Sequence, residues 1–249
     1  MPHTADPCAP VGLFDSGLGG LTVLREVVSL LPCEDTFFYA DRAHCPYGHR
    51  PADEVVALSD ACVRRLLAER CKLVVVACNT ATAAAIATLR SRYPEIPFVG
   101  MEPAVKPAAQ RSRTHVVGVL ATQGTASGRH FRETSAKWAA GTRVVVRDAT
   151  DLVALVEAGM AGTGEARAAV AAHVNPLLEA GADCIVLGCT HFPHLREDIR
   201  SVAGPGVELF DPSPAVARRV KSVLDSLGLL HPPPHAGVHR RESSGKDIP

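Results

Sequence analysis

The chain has 249 residues, 47% of them apolar, enough for one large core or two of ordinary size. Lys plus Arg and Asp plus Glu balance at 26 each, so charge points to neither nucleic acid nor an anionic membrane as partner. No apolar run reaches the roughly 18 residues of a membrane span, and residues 1–10 lack the basic and apolar regions of a secretory signal.

Residues 11–14 read as a first strand, 15–20 as a turn and 21–31 as an amphipathic helix. A second strand follows over 36–39, then a loop over 41–51 punctuated by Pro46 and Gly48. A helix is predicted over 52–68, a buried strand over 73–77, an alanine-rich helix over 80–91 and a short strand over 96–99. Pro103 and Pro107 mark a hinge. Beyond it the rhythm repeats: strand 115–120, helix 125–137, strand 142–146, helices 152–158 and 164–180, strand 184–187 and strand 207–210. Asp211-Pro212-Ser213-Pro214 reads as a return crossing, with a final helix over 214–227 packed on the first half. This alternation predicts an α/β fold of two domains, each a mostly parallel sheet flanked by helices. The expected division is 1–102 plus 212–230 against 103–211. Residues 231–249, dominated by proline, charge and serine, read as a disordered tail.

Landmarks recur between the halves. Leu73-Val74-Val75-Val76-Ala77-Cys78-Asn79-Thr80 is answered by Cys184-Ile185-Val186-Leu187-Gly188-Cys189-Thr190-His191, the two later cysteines of these phrases lying 111 positions apart. Val11-Gly12-Leu13-Phe14 parallels Val117-Gly118-Val119-Leu120, and Asp41 parallels Asp148, at offsets of 106 and 107. Leu66-Leu67 precede Cys78 as Leu177-Leu178 precede Cys189, at the same offset, and these four landmarks in the same order indicate two homologous, pseudo-symmetric halves. Each places a cysteine just past a strand's C-terminal end, where open α/β sheets bind ligands, so one site in the cleft between them is expected.

Cys78, between a strand and a helix N-terminus, sits where N–H groups and the helix dipole favour a thiolate or an anion. Thr80 reads as the helix cap, and Asn79 has no apolar role. Cys8, Cys33, Cys62 and Cys71 read as inert thiols, and with eight irregularly spaced cysteines a cytoplasmic, disulfide-free chain is expected. His191, two residues beyond Cys189, is placed to share its proton. A metal reading of Cys184, Cys189, His191 and His194 matches no common zinc spacing. The turn Asp15-Ser16-Gly17-Leu18-Gly19-Gly20 has Thr22 where a dinucleotide fingerprint needs glycine, so Asp15 suggests a proton-handling or amine-binding group. Pro46-Tyr47-Gly48 is either an ordinary turn or a pair of backbone donors for a carboxylate.

Together Phe14-Asp15-Ser16-Gly17-Leu18-Gly19-Gly20, Pro46-Tyr47-Gly48, Ala77-Cys78-Asn79-Thr80-Ala81 and Gly188-Cys189-Thr190-His191-Phe192-Pro193 resemble the bacterial glutamate racemases, over about residues 10–230. The resemblance implies a cofactor-independent amino-acid racemase that supplies D-glutamate for peptidoglycan. Cys78 and Cys189 would be its two acid/base residues, assisted by Asp15 and His191, with Glu157 as a further acidic residue. Asp15, Ser16, Tyr47, Gly48, Asn79, Thr80, Thr122, Thr125, Thr190 and His191 would contact the substrate. No cofactor, metal, nucleic acid or membrane is implied; the oligomeric state is open, a homodimer among the options. Ala43-His44-Cys45 departs from the commonest family wording, a change expected to alter the loop without touching the proton-transfer residues. Aspartate racemase or another amino-acid racemase of the same superfamily is the neighbouring alternative. A thiol redox protein lacks C-x-x-C support, and a binding module without catalysis would not need both thiols.

Overall fold

The computed structural model describes residues 6–128, 131, 133 and 141–248. The first sheet contains β1 (Val11–Asp15), β2 (Thr36–Ala40), β3 (Leu73–Val76) and β4 (Phe98–Gly100). The second contains β5 (Val116–Ala121), β6 (Arg143–Asp148), β7 (Cys184–Gly188) and β8 (Glu208–Phe210). Every pairing is parallel. The order β2-β1-β3-β4 in one sheet is repeated as β6-β5-β7-β8 in the other, so the duplicated landmarks occupy equivalent strands.

β1, β3 and β7 are buried throughout, which is why they read as unbroken apolar runs rather than alternations. Helices cover both faces. Val23, Leu24 and Val27 of helix Leu21–Leu30 share one core with Val216, Val220 and Leu224 of helix Ser213–Ser226. The final helix thus returns to the first half. The crossing after β4 holds a short helix, Val105–Arg111, whose Val105 and Ala108 join the core of the second sheet beside Val117 and Val186. The expected helix over 125–137 falls largely on 129, 130, 132 and 134–137, outside the described residues; Gln123–Ala126 is helical.

The tail expectation is corrected. His239–Ser243 forms β9, paired in parallel with β2 from Thr36↔His239 to Ala40↔Ser243. The composition is tail-like, yet β2 otherwise presents an unpaired edge whose N–H and C=O groups want a partner. Side chains fix the strand. Arg65 Nε donates to Glu242 at 2.8 Å and Arg240 Nη2 to Glu69 at 2.7 Å, while both guanidinium groups lie over the Phe37 ring at 5.0 and 4.9 Å.

Candidate active site

The register puts the strand ends of each sheet side by side. Phe14 pairs with Val76, so Asp15 at the tip of β1 neighbours Cys78 just past β3. Ala121 pairs with Gly188, so Thr122 neighbours Cys189 just past β7. Cys78 has extended backbone and is itself the N-cap of helix Asn79–Arg92, its sulfur accepting the Ala81 N–H at 3.5 Å. Thr80 is therefore not the cap. Its hydroxyl turns to the other half, 2.8 Å from Thr122 Oγ1 and 3.5 Å from Thr125 Oγ1.

Asp15 is fully buried and spans both halves. Its carboxylate accepts the N–H groups of Gly20 at 2.9 Å and Gly17 at 3.3 Å, and the Thr190 hydroxyl at 3.5 Å. Burial raises the Asp15 pKa, against the pull of His191, the Gly20 N–H and a hydrogen bond with Cys78. Burial, then the neighbouring Asp15 charge, push the Cys78 thiol far up, and the thiol donates to Ser16 Oγ at 3.7 Å. Cys78 therefore rests as a thiol. Cys189, from the other half, is close enough that its charge also raises Cys78.

The second half is wired differently. His191 Nδ1 lies 3.7 Å from Cys189 Sγ and its Nε2 2.8 Å from Glu157 Oε1. Burial disfavours an imidazolium there, but hydrogen bonds to Cys189, Cys45 and Glu157 outweigh it and hold the His191 pKa well above its ordinary value. Glu157, closing helix Asp151–Glu157, accepts the Leu18 N–H at 2.6 Å and the Arg42 Nε–H at 3.0 Å. Burial would raise its pKa; the His191 hydrogen bond, the Leu18 N–H and the charges of His191 and Arg42 bring it down to about 2.

The glycines of the first turn do more than turn the chain. A Cβ on Gly19 would stand 2.5 Å from His191 Nδ1 and 2.6 Å from Thr190 Oγ1, and one on Gly17 would run into Glu157 and Cys45. Only side-chain-free residues let the first half lie against the second here. Gly48 is equally constrained, facing Thr150 and Thr122 at 2.7 and 3.0 Å, and its carbonyl accepts the Gly124 N–H at 3.0 Å. Tyr47 is buried with its hydroxyl spent on Asp41 at 2.6 Å, so only its backbone is available to a ligand. Asn79 is 3% exposed, and both its amide nitrogen and its amide oxygen lack a hydrogen-bond partner. A buried amide left unpaired on both atoms is the mark of a position awaiting a polar ligand.

Residues 19–220 match the sequence profile of the Asp/Glu/hydantoin racemases. The chain belongs to this family. It is 52% identical over 221 residues to a glutamate racemase of Roseiflexus sp. (strain RS-1), covering 89% of this chain and 81% of that one. A glutamate racemase of Herpetosiphon aurantiacus is 50% identical, covering 95% and 92%. Among solved structures, glutamate racemase isoform RacE1 from Bacillus anthracis superposes with a TM-score of 0.87 at 30% identity, covering 96% of this chain and 89% of that one. Escherichia coli glutamate racemase, solved with L-glutamate and the activator UDP-MurNAc-Ala, gives 0.81 at 34%, covering 94% and 88%.

Two residues of the site escape sequence reasoning. Arg42 has no motif around it and meets Glu157 across 115 positions. Cys45 is corrected: it does touch the proposed proton-transfer residues, the donor atoms of Cys45, Glu157 and His191 lying within 4.8 Å of one another. Its departure from the family wording was the one available signal. The other metal set is dispersed, with Cys184 in the core beside Val117 and Val186 and His194 exposed. No helix among the described residues is long and apolar enough to cross a membrane.

Proposed function

We propose that the chain interconverts L- and D-glutamate, with Cys78 and Cys189 exchanging protons on opposite faces of the α-carbon. The observation that carries this reading is the convergence of two strand-end thiols, one from each duplicated half, each with its own proton-handling partner. In one direction a Cys189 thiolate takes the α-proton while the Cys78 thiol delivers its proton from the other side; in the reverse direction the roles exchange. The His191 N–H stabilises charge on the Cys189 sulfur and Glu157 orients the ring, while Asp15 exchanges a proton with Cys78. The Asn79 amide, the hydroxyls of Ser16, Thr80, Thr122, Thr125 and Thr190 and the backbone N–H groups at Tyr47–Gly48 surround the substrate's carboxylates and amine. Oriented donors and exclusion of water stabilise the carbanion.

Each turnover in that direction leaves Cys189 protonated and Cys78 deprotonated, so both must be reset. Cys189 loses its proton by way of His191 and Glu157, whose outer side lines a cavity of about 510 Å³ with Arg42, Cys45 and Lys246, and Cys78 regains one from Asp15, which is reprotonated when the site opens to water. The D-glutamate formed supplies bacterial cell-wall synthesis. Incubation with L-glutamate in heavy water tests the reading: optical rotation should decay as deuterium enters the α-position. Faster racemisation of L-aspartate would assign another substrate, and inversion without α-deuterium would remove the two-base mechanism.

A further inference from the structure

On the far side of the first sheet from this chemistry, Asp35, His231 and His235 bring one donor atom each within 4.8 Å of the others. We propose that these three residues form a binding site for a divalent transition metal, zinc in the first instance, that clasps the C-terminal segment to the sheet. Two imidazoles and a carboxylate suit zinc, with water as a fourth ligand.

The donors are held from outside the cluster. The His231 N–H donates to Glu34 Oε1 at 2.7 Å, and Glu34 is buried against Lys72, 2.6 Å away. Asp35 is fixed by its backbone carbonyl, which accepts the Val11 N–H at 2.8 Å, and by its Oδ1, which accepts the Val238 N–H at 2.7 Å. Pro232, Pro233 and Pro234 separate the histidines, and three fixed φ angles leave the spacer little freedom to lose on binding. The rings stack with centroids 3.9 Å apart and planes at 16°.

The tautomers also suit a metal. His231 Nδ1 lies 3.0 Å from the Pro232 carbonyl, which can only accept. Nδ1 therefore carries the proton and Nε2 presents its lone pair, the arrangement that a backbone carbonyl enforces on metal-binding histidines. His235 Nε2 faces Asp35 Oδ1 at 2.7 Å. A metal entering there takes the place of the Nε2 proton, which moves to Nδ1 of the neutral ring, and the pair opens slightly to admit it.

The test is titration of metal-free protein with Co²⁺ and Zn²⁺. One equivalent of Co²⁺ should give visible d–d bands without a thiolate charge-transfer band. Zn²⁺ should displace it, raise Tm and shift the imidazole ¹⁵N resonances of His231 and His235. His231→Ala and His235→Ala should each lose the Tm increment while racemisation persists. Thiolate bands that vanish in Cys45→Ser would place the metal at Cys45, Glu157 and His191 and overturn the proposal. So would unshifted His231 and His235 resonances at saturating Zn²⁺ in the unmodified protein, a result that requires no variant to fold.

Discussion

At the scale of single residues, the two thiols have unlike partners, and their substitutions should report it. Cys78→Ala and Cys189→Ala should each abolish racemisation, a loss of at least about 10²–10⁴-fold expected for a removed acid or base, with unchanged circular dichroism. Near-normal turnover in either would end the two-base account. Asp15→Asn and His191→Asn should change kcat and KM of the L→D and D→L directions unequally, while kcat/KM stays equal in the two directions because the equilibrium constant between mirror images is one; kcat and KM unchanged in both directions would make them structural. Glu157 adds a pH signature. Its folded pKa of about 2 lies below the unfolded 4.5, so its stabilising contribution is present above about pH 4.5 and disappears as pH falls towards 2. His191 is raised above 6.5, so its contribution is complete below about pH 6.5 and disappears as pH rises through the raised value. Glu157→Gln keeps an acceptor for the His191 ring but removes the carboxylate charge behind one of the hydrogen bonds that raise His191, so the His191 limb of the kcat/KM profile should move to lower pH. An unmoved limb would show that the contact at 2.8 Å does not tune the imidazole.

At the scale of elements, β9 links the end of the chain to the site. Beyond it, the carbonyls of Lys246 and Asp247 accept from Arg42 Nη1 at 3.2 and 2.6 Å, and Arg42 Nε holds Glu157. Ser244 Oγ donates to Asp41 at 2.6 Å, the same carboxylate that fixes Tyr47. Ending the chain at residue 238 should lower Tm and shift the pH profile in the same direction as Glu157→Gln, by less. A profile and Tm identical to the full chain would mean that the strand is passive. What the sequence revealed here follows physical lines. β1, β3 and β7 are buried on both faces, and their apolar runs were legible; so were Cys78, Asp15, Cys189 and His191, because chemistry-bearing residues at strand tips stand out. β9 was hidden because its stability comes from β2 and Phe37, about 200 positions away, and not from its own composition. Arg42 and Cys45 were hidden for the same reason: their partners belong to the other half.

At the scale of the whole molecule, the two halves meet along contacts from Thr80 to Thr122, Asp15 to Thr190 and Leu18 to Glu157. Cys78 and Cys189 are 4% and 6% exposed, so the proposed reaction requires the halves to part to admit substrate. Iodoacetamide should label exposed Cys8 at once, half-buried Cys33 and Cys45 more slowly, and Cys78 and Cys189 at the rate of opening. Immediate labelling of either catalytic candidate would mean that the closed arrangement is not the resting one. The late strand also has a consequence during synthesis. Thr36-Phe37-Phe38-Tyr39-Ala40 is uncharged, aromatic and free of proline, the kind of segment that recruits other strands. Its edge partner lies about 200 residues further on, so at about 5–20 residues per second the ribosome leaves that edge open for roughly 10–40 s. A stalled or prematurely terminated chain carries the exposed edge permanently, so messages that stop before residue 239 should divert a larger share of their product to chaperones or aggregates than full-length ones, even though every residue of the proposed proton-transfer site has already been made.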